Sequence, residues 1–115
     1  MKTLYFENFD AFSDAEVSGQ YELTTIVKNQ KYNCLCADLM TDCKSYKTAI
    51  KRFFKSLKDY PEFDGWEEGL LESCENGVWE AKETDENGEY YAGGWHYTVE
   101  DNDGSFYICV NTSLN

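Results

Sequence analysis

Between residues 41 and 61 apolar side chains recur at three- and four-residue steps: Tyr46, Ala49, Ile50, Phe53, Phe54 and Leu57. That spacing lays one apolar stripe along a helix. Lys44, Lys47, Lys51, Lys55 and Lys58 fall on the opposite side at the same steps, with Arg52 on its shoulder and no acid from Lys44 to Lys58. Asp42 is placed to cap the first turn, Lys55 and Lys58 suit the negative C-terminus, and Pro61 blocks continuation. The pattern predicts a long helix with two chemically opposite faces.

The remaining segments read mostly as strands. Residues 3–6 form a short first strand, and Phe6, Phe9 and Phe12 recur every third residue, expected to plug the core edge from a loop. Residues 13–16 have capping-box form but room for one helical turn at most. Residues 21–28 are rich in β-branched side chains, Asn29-Gln30 supplies a turn, and residues 31–39 form the partner strand. On that partner Leu35, Ala37 and Leu39 share one face, Cys34 and Cys36 the other. After Pro61, Trp66, Leu70 and Cys74 are spaced by four and predict a short second helix over 65–75, opened by a cap-like Asp64-Gly65 and ended by Asn76-Gly77. A three-stranded meander follows over 78–83, 89–99 and 105–111, with turns at Asn87-Gly88 and at 102–104 and a bulge or bend at Gly93-Gly94.

Together these elements predict a single α+β domain over residues 1–115: an antiparallel sheet of five to six strands, one long amphipathic helix packed on one face, and a short second helix. An aromatic content of 17% fits a packed sheet better than a helical bundle.

Charge changes the picture more than composition does. The formal net charge is -12, unevenly spread. Residues 1–43 carry seven acids and three lysines, residues 44–58 six bases and no acid, and residues 59–115 fifteen acids against Lys82 alone. Such an anionic second half repels nucleic acid and phospholipid phosphates. Direct nucleic-acid binding is therefore disfavoured, although the helix face 44–58 has the form of a phosphate-binding footprint. No apolar run reaches membrane-spanning length, and the first ten residues lack the form of a signal peptide.

Catalytic and metal chemistry find little support. The five cysteines, Cys34, Cys36, Cys43, Cys74 and Cys109, have neither a disulfide-framework spacing nor the paired units of structural zinc. Thiol chemistry at Cys34 or Cys36 lacks a C-x-x-C pair and has only Lys31 nearby. The reading is free thiols in a reducing cytoplasm. His96 is the single histidine, and no nucleophile-elbow, P-loop or H-E-x-x-H pattern occurs. No cofactor, metal or enzymatic activity is expected.

The acidic half is the candidate site. Glu67, Glu68, Glu72, Glu80, Glu83, Asp85, Glu86, Glu89, Glu100, Asp101 and Asp103 supply carboxylates, with Tyr90, Tyr91 and Trp95 as aromatic anchors. Carboxylates held on a rigid frame imitate a phosphate array and pair with the basic groove of another protein. In this the chain resembles the small acidic anti-defence proteins of phages and mobile elements, the anti-CRISPR and antirestriction inhibitors. The segments LYFENFDAF and PEFDGWEEGLLE are similar to stretches of antirestriction proteins. The resemblance implies a cytoplasmic inhibitor, in the host cell if phage-encoded, that blocks a nuclease or CRISPR effector, by nucleic-acid mimicry. The alternatives are a nucleic-acid binder using the face 44–58, and an antitoxin or immunity protein neutralising a basic toxin.

Overall fold

Two nine-residue strands, β3 (Cys34–Asp42) and β6 (Ser105–Ser113), pair antiparallel over their whole length in the middle of a six-stranded sheet. Their alternation is what the sequence dictates: Leu35, Ala37 and Leu39 face Ile108 and Val110 and their neighbours on one side, leaving the polar positions to the other. The computed structural model describes residues 1–115. The other strands are β1 (Lys2–Phe6), β2 (Leu23–Asn29), β4 (Glu80–Lys82) and β5 (His96–Asp101), in the order β1-β2-β3-β6-β5-β4. The helices are α1 (Phe9–Asp14), α2 (Tyr46–Ser56) and α3 (Trp66–Glu75), with a 3-10 turn at Pro61–Phe63. This is an α+β fold.

One pairing departs from the antiparallel expectation: β1 runs parallel to β2. A parallel neighbour requires a crossover instead of a hairpin, and α1 with residues 15–22 provides it. The crossover helix starts earlier than the capping-box form implies. Asn8 Oδ1 accepts from the Ala11 backbone N–H at 2.7 Å and fixes the first turn, so Ser13 lies inside the helix. Phe12 meets Phe6 edge-to-face at 5.5 Å, whereas Phe9 plugs nothing and is 49% exposed.

The apolar stripe of α2 lies on the sheet as its spacing requires. Ala49, Ile50, Phe53, Phe54 and Leu57 are buried against Ile26, Leu35, Ala37, Leu39, Val99, Phe106, Ile108 and Val110, with Tyr46 packed at the margin. At roughly 1.5–3 kcal/mol per large buried side chain, this helix is the main contributor to the core. Its N-cap is Ser45, whose hydroxyl accepts from the Thr48 N–H at 3.2 Å, and not Asp42. Asp42 is still paired with Ser105 in the sheet, so the chain needs two more residues before it can turn into a helix.

On the same face α3 packs beside α2, burying Leu70 and Cys74 as their four-residue spacing predicts. Gly65, at φ +87°, occupies the capping position without a side-chain bond, and Asp64 precedes it. The meander is shorter than expected. β4 has three residues, β5 begins at His96, and residues 83–95 leave the sheet as a lobe. Gly93 at φ +85° makes that departure, at the bulge or bend expected of the Gly93-Gly94 pair.

The second face of the sheet carries rows set by register. Lys82, His96, Asn111, Cys36 and Val27 follow one another across the strands, and Glu80, Thr98, Cys109, Asp38 and Thr25 form the next row. No helix is long and apolar enough to cross a membrane.

Candidate protein-interaction surface

Strand β4 is the edge of the sheet, paired only with β5, and the chain on either side of it stays attached. Before it, Val99 N–H donates to the Trp79 carbonyl at 2.8 Å. After it, Glu83 N–H donates to the Trp95 carbonyl at 2.8 Å, and Thr84 bridges to Tyr90. The lobe closes in a turn built by Asp85, whose Oδ1 accepts from Asn87 N–H at 2.8 Å and Glu89 N–H at 3.0 Å. A second clamp is Glu83, whose Oε1 accepts from Trp95 N–H at 3.2 Å. Asn111 and Tyr90 both donate to the Gly94 carbonyl, at 2.8 and 3.0 Å. Trp95 packs on Trp66 of α3 with ring centroids 6.2 Å apart.

This frame holds large apolar groups in solvent. Tyr91 is 43% exposed, Val78 45%, and Trp79, Tyr90 and Trp95 are also exposed. Glu80, Asp85, Glu86 and Glu89 stand exposed among them, with Lys82 the single cation from residue 59 onward. Trp79 leans on Tyr46 of α2 at 5.5 Å and Trp95 on Trp66, while Tyr90 meets His96 at 5.8 Å, so the exposed aromatics flank the edge on both sides of the sheet. Exposed aromatics beside carboxylates, on a frame fixed by backbone bonds, have the composition of a protein-binding surface.

The fourteen residues singled out from the sequence do not form one patch. Glu80, Glu83, Asp85, Glu86, Glu89, Tyr90, Tyr91 and Trp95 are together on the β4 edge and lobe. Glu83 and Asp85 also spend a carboxylate oxygen each on holding the lobe's own backbone. Glu100 lines a hollow with Val78, Trp79 and Glu80 and so stays with the β4 edge, whereas Asp101 and Asp103 lie past the end of that edge, with Asp101 about 17 Å along β5 from His96 at 3.3–3.4 Å per strand residue. Asp101 there ties its own turn, accepting from Asp103 N–H at 3.0 Å. That turn, with Asp101 and Asp103, lies against the lead-in to the basic helix, where Cys43 N–H donates to the Gly104 carbonyl at 3.2 Å.

Glu67, Glu68 and Glu72 are on α3, and α3 lies next to α2. Lys58 shares a small cleft of 130 Å³ with Asp64 and Glu67. The helical layer therefore sets an acidic helix beside a basic one, and the two fields offset each other. The basic face is interrupted again at the largest hollow, 660 Å³, where Glu22 and Asp59 join Arg52, Lys55 and Lys58. Arg52 is committed there, donating to the Asp42 carbonyl at 2.7 Å and to Thr41 Oγ1 at 3.0 Å.

Two features were not legible from spacing. One is Glu22, a left-handed residue at φ 59° whose carboxylate takes Thr41 O–H and Asp42 N–H at 2.8 Å each. The other is a polar network on the second sheet face. Asp38 accepts from Thr25 O–H at 2.6 Å and from Tyr107 O–H at 3.5 Å, and burial raises its carboxyl above the ordinary range despite both bonds. Burial lowers His96, so the imidazole stays neutral. Both groups were visible in the sequence, but neither has a local pattern that would mark its neighbours.

Among protein-family models, curated proteins and solved structures, none matches this chain.

Proposed function

We propose that this chain is a non-enzymatic inhibitor that binds a basic, nucleic-acid-handling protein, a nuclease or CRISPR effector, through the β4 edge and the lobe over residues 83–95. What carries the reading is the coincidence of exposed Trp79, Tyr90, Tyr91 and Trp95 with exposed Glu80, Asp85, Glu86 and Glu89 on one anchored frame. The aromatics supply anchors that exclude water, and the carboxylates pair with Arg and Lys of the partner where it grips phosphate. The acids of α3 and of the β5–β6 turn contribute less, because the basic helix lies beside them. The same balance of charge counts against the helix face as a nucleic-acid site.

The test uses one variant set on each face. Glu80, Glu86 and Glu89 are changed to Gln, leaving Glu83 and Asp85 to hold the lobe, and Lys47, Lys51 and Lys55 are changed to Gln in a second protein. Both are used to capture targets from nuclease-bearing bacterial lysates, and the captured nuclease is then challenged with DNA. The expected result is that the wild-type chain competes with DNA for the captured protein and does not itself retard DNA. The glutamate set should lose that competition and the lysine set should keep it. Retardation of DNA by the wild-type chain, abolished in the lysine set, would instead establish the helix face as the site.

A further inference from the structure

Cys36 and Cys109 are 73 residues apart in sequence and their sulfurs are 3.6 Å apart in the sheet. Register explains the meeting. Cys109 stands opposite Asp38 and Cys36 opposite Asn111, so the two cysteines are diagonal neighbours on the paired strands β3 and β6, on the second face. Thiols used only as small apolar filler sit among apolar groups. These sit among Asp38, Asn111, Thr25 and Tyr107, and Tyr107 O–H reaches Asp38 at 3.5 Å. Cys36 is half-buried and Cys109 is buried. Hydrogen bonding places a proton between them, with either sulfur able to donate.

We propose that Cys36 and Cys109 are a redox-active dithiol that exchanges with small-molecule disulfides, with Asp38 accepting a thiol proton through Tyr107. The Cys36 thiolate attacks one sulfur of the disulfide, forming a mixed disulfide and releasing one small thiolate. The Cys109 thiolate then attacks the Cys36 sulfur, closing the Cys36–Cys109 bond and expelling the second small thiolate. The protein gives up two electrons, the oxidant takes them, and the two thiol protons end on the two released thiols. The bond from Cys36 lowers the Cys109 thiol, against the opposing pull of burial and Asp38. The same bond to Cys109, with burial, raises Cys36, so Cys36 must pass its proton on before it can attack. The titratable groups facing the pair are Asp38 and Cys34 on β3, Tyr107 on β6 and Tyr90 from the lobe.

The proposal does not depend on the binding role, and its test needs no partner. The full chain is incubated with oxidised glutathione, free thiols are alkylated, and intact mass and peptide maps are recorded. A chain that loses two hydrogens and links the Cys36 and Cys109 peptides, with Cys34, Cys43 and Cys74 alkylated, supports the dithiol. Cys109→Ser should stop with one glutathione held on Cys36, and Cys36→Ser should not react. Linkage between other cysteines, or five alkylated thiols, would overturn it, and that map on the unmutated chain stands whether or not the variants fold. Asp38→Asn decides the carboxylate's role by sign, measured across pH. If Asp38 accepts the proton, exchange slows severalfold. If it is only a negative charge beside the sulfurs, its removal leaves exchange equal or faster, and that part of the proposal fails.

Discussion

The side-chain amide of Asn111, in the middle strand β6, donates to the backbone carbonyl of Gly94 at 2.8 Å in a buried bond. Tyr90 donates to the same oxygen at 3.0 Å, so one carbonyl ties the lobe to the sheet from two directions. Asn111→Leu keeps volume and removes a donor, leaving Tyr90 alone on that carbonyl. The expected loss is about 0.5–1.5 kcal/mol of stability, the usual net worth of one hydrogen bond, because Tyr90 still satisfies the carbonyl. Amide hydrogen exchange should accelerate over residues 84–95 and stay unchanged in α2. Uniform acceleration across the chain would mean that the bond supports the fold as a whole and not the lobe.

Gly93 and Gly69 give opposite predictions for the same substitution. A Cβ at Gly93 meets Tyr32 Cβ at 2.8 Å and the Tyr32 carbonyl oxygen at 2.9 Å, and the backbone is left-handed there. Gly93→Ala should therefore lower the thermal midpoint. Gly69 lies within α3 with nothing within 4 Å of its added Cβ. Gly69→Ala should raise stability by about 0.8–1 kcal/mol through helix propensity. Thermal unfolding of the two variants side by side checks both signs.

The start of α2 is fixed by Ser45, and Asp42 belongs to the sheet. Ser45→Ala should cost about 1 kcal/mol, the usual loss for a removed N-cap. Asp42→Ala, at an exposed side chain, should stay within about 0.5 kcal/mol of wild type. Urea unfolding of the two variants measures the contrast, and a larger loss at Asp42 would restore the cap to that residue.

Asp38 and His96 predict pH effects of opposite sign. Burial holds the Asp38 proton to higher pH in the folded chain than the ordinary 3.8, so on raising pH the unfolded chain ionises first. Stability from this group is present below 3.8 and falls as pH rises through the raised folded value. His96 is lowered from 6.5 by burial, so on lowering pH the unfolded chain takes up its proton first. Its contribution is present above 6.5 and falls as pH drops through the lowered value. Chemical unfolding of Asp38→Asn and His96→Gln across pH 3–8 should each remove one slope, the first a decline with rising pH and the second a decline with falling pH.

Sequence periodicity gave α2 its buried residues correctly, because a 3.6-residue repeat of large apolar groups has one way to hide from water. The inward faces of β3 and β6 followed from alternation for the same reason. Both signals are local, and so is the acidity of the second half. Where charges end up relative to one another is not local. Chain order groups Glu100, Asp101 and Asp103, yet Glu100 shares a hollow with Glu80 while Asp101 and Asp103 lie at the turn held against Cys43. Alternation likewise put Cys36 on one face with Cys34, but only antiparallel register brought it to Cys109. Patterns within a few residues determined which faces are apolar. Only the crossing of strands and helices decided which polar groups meet, because those contacts depend on register and on packing between segments far apart in the chain.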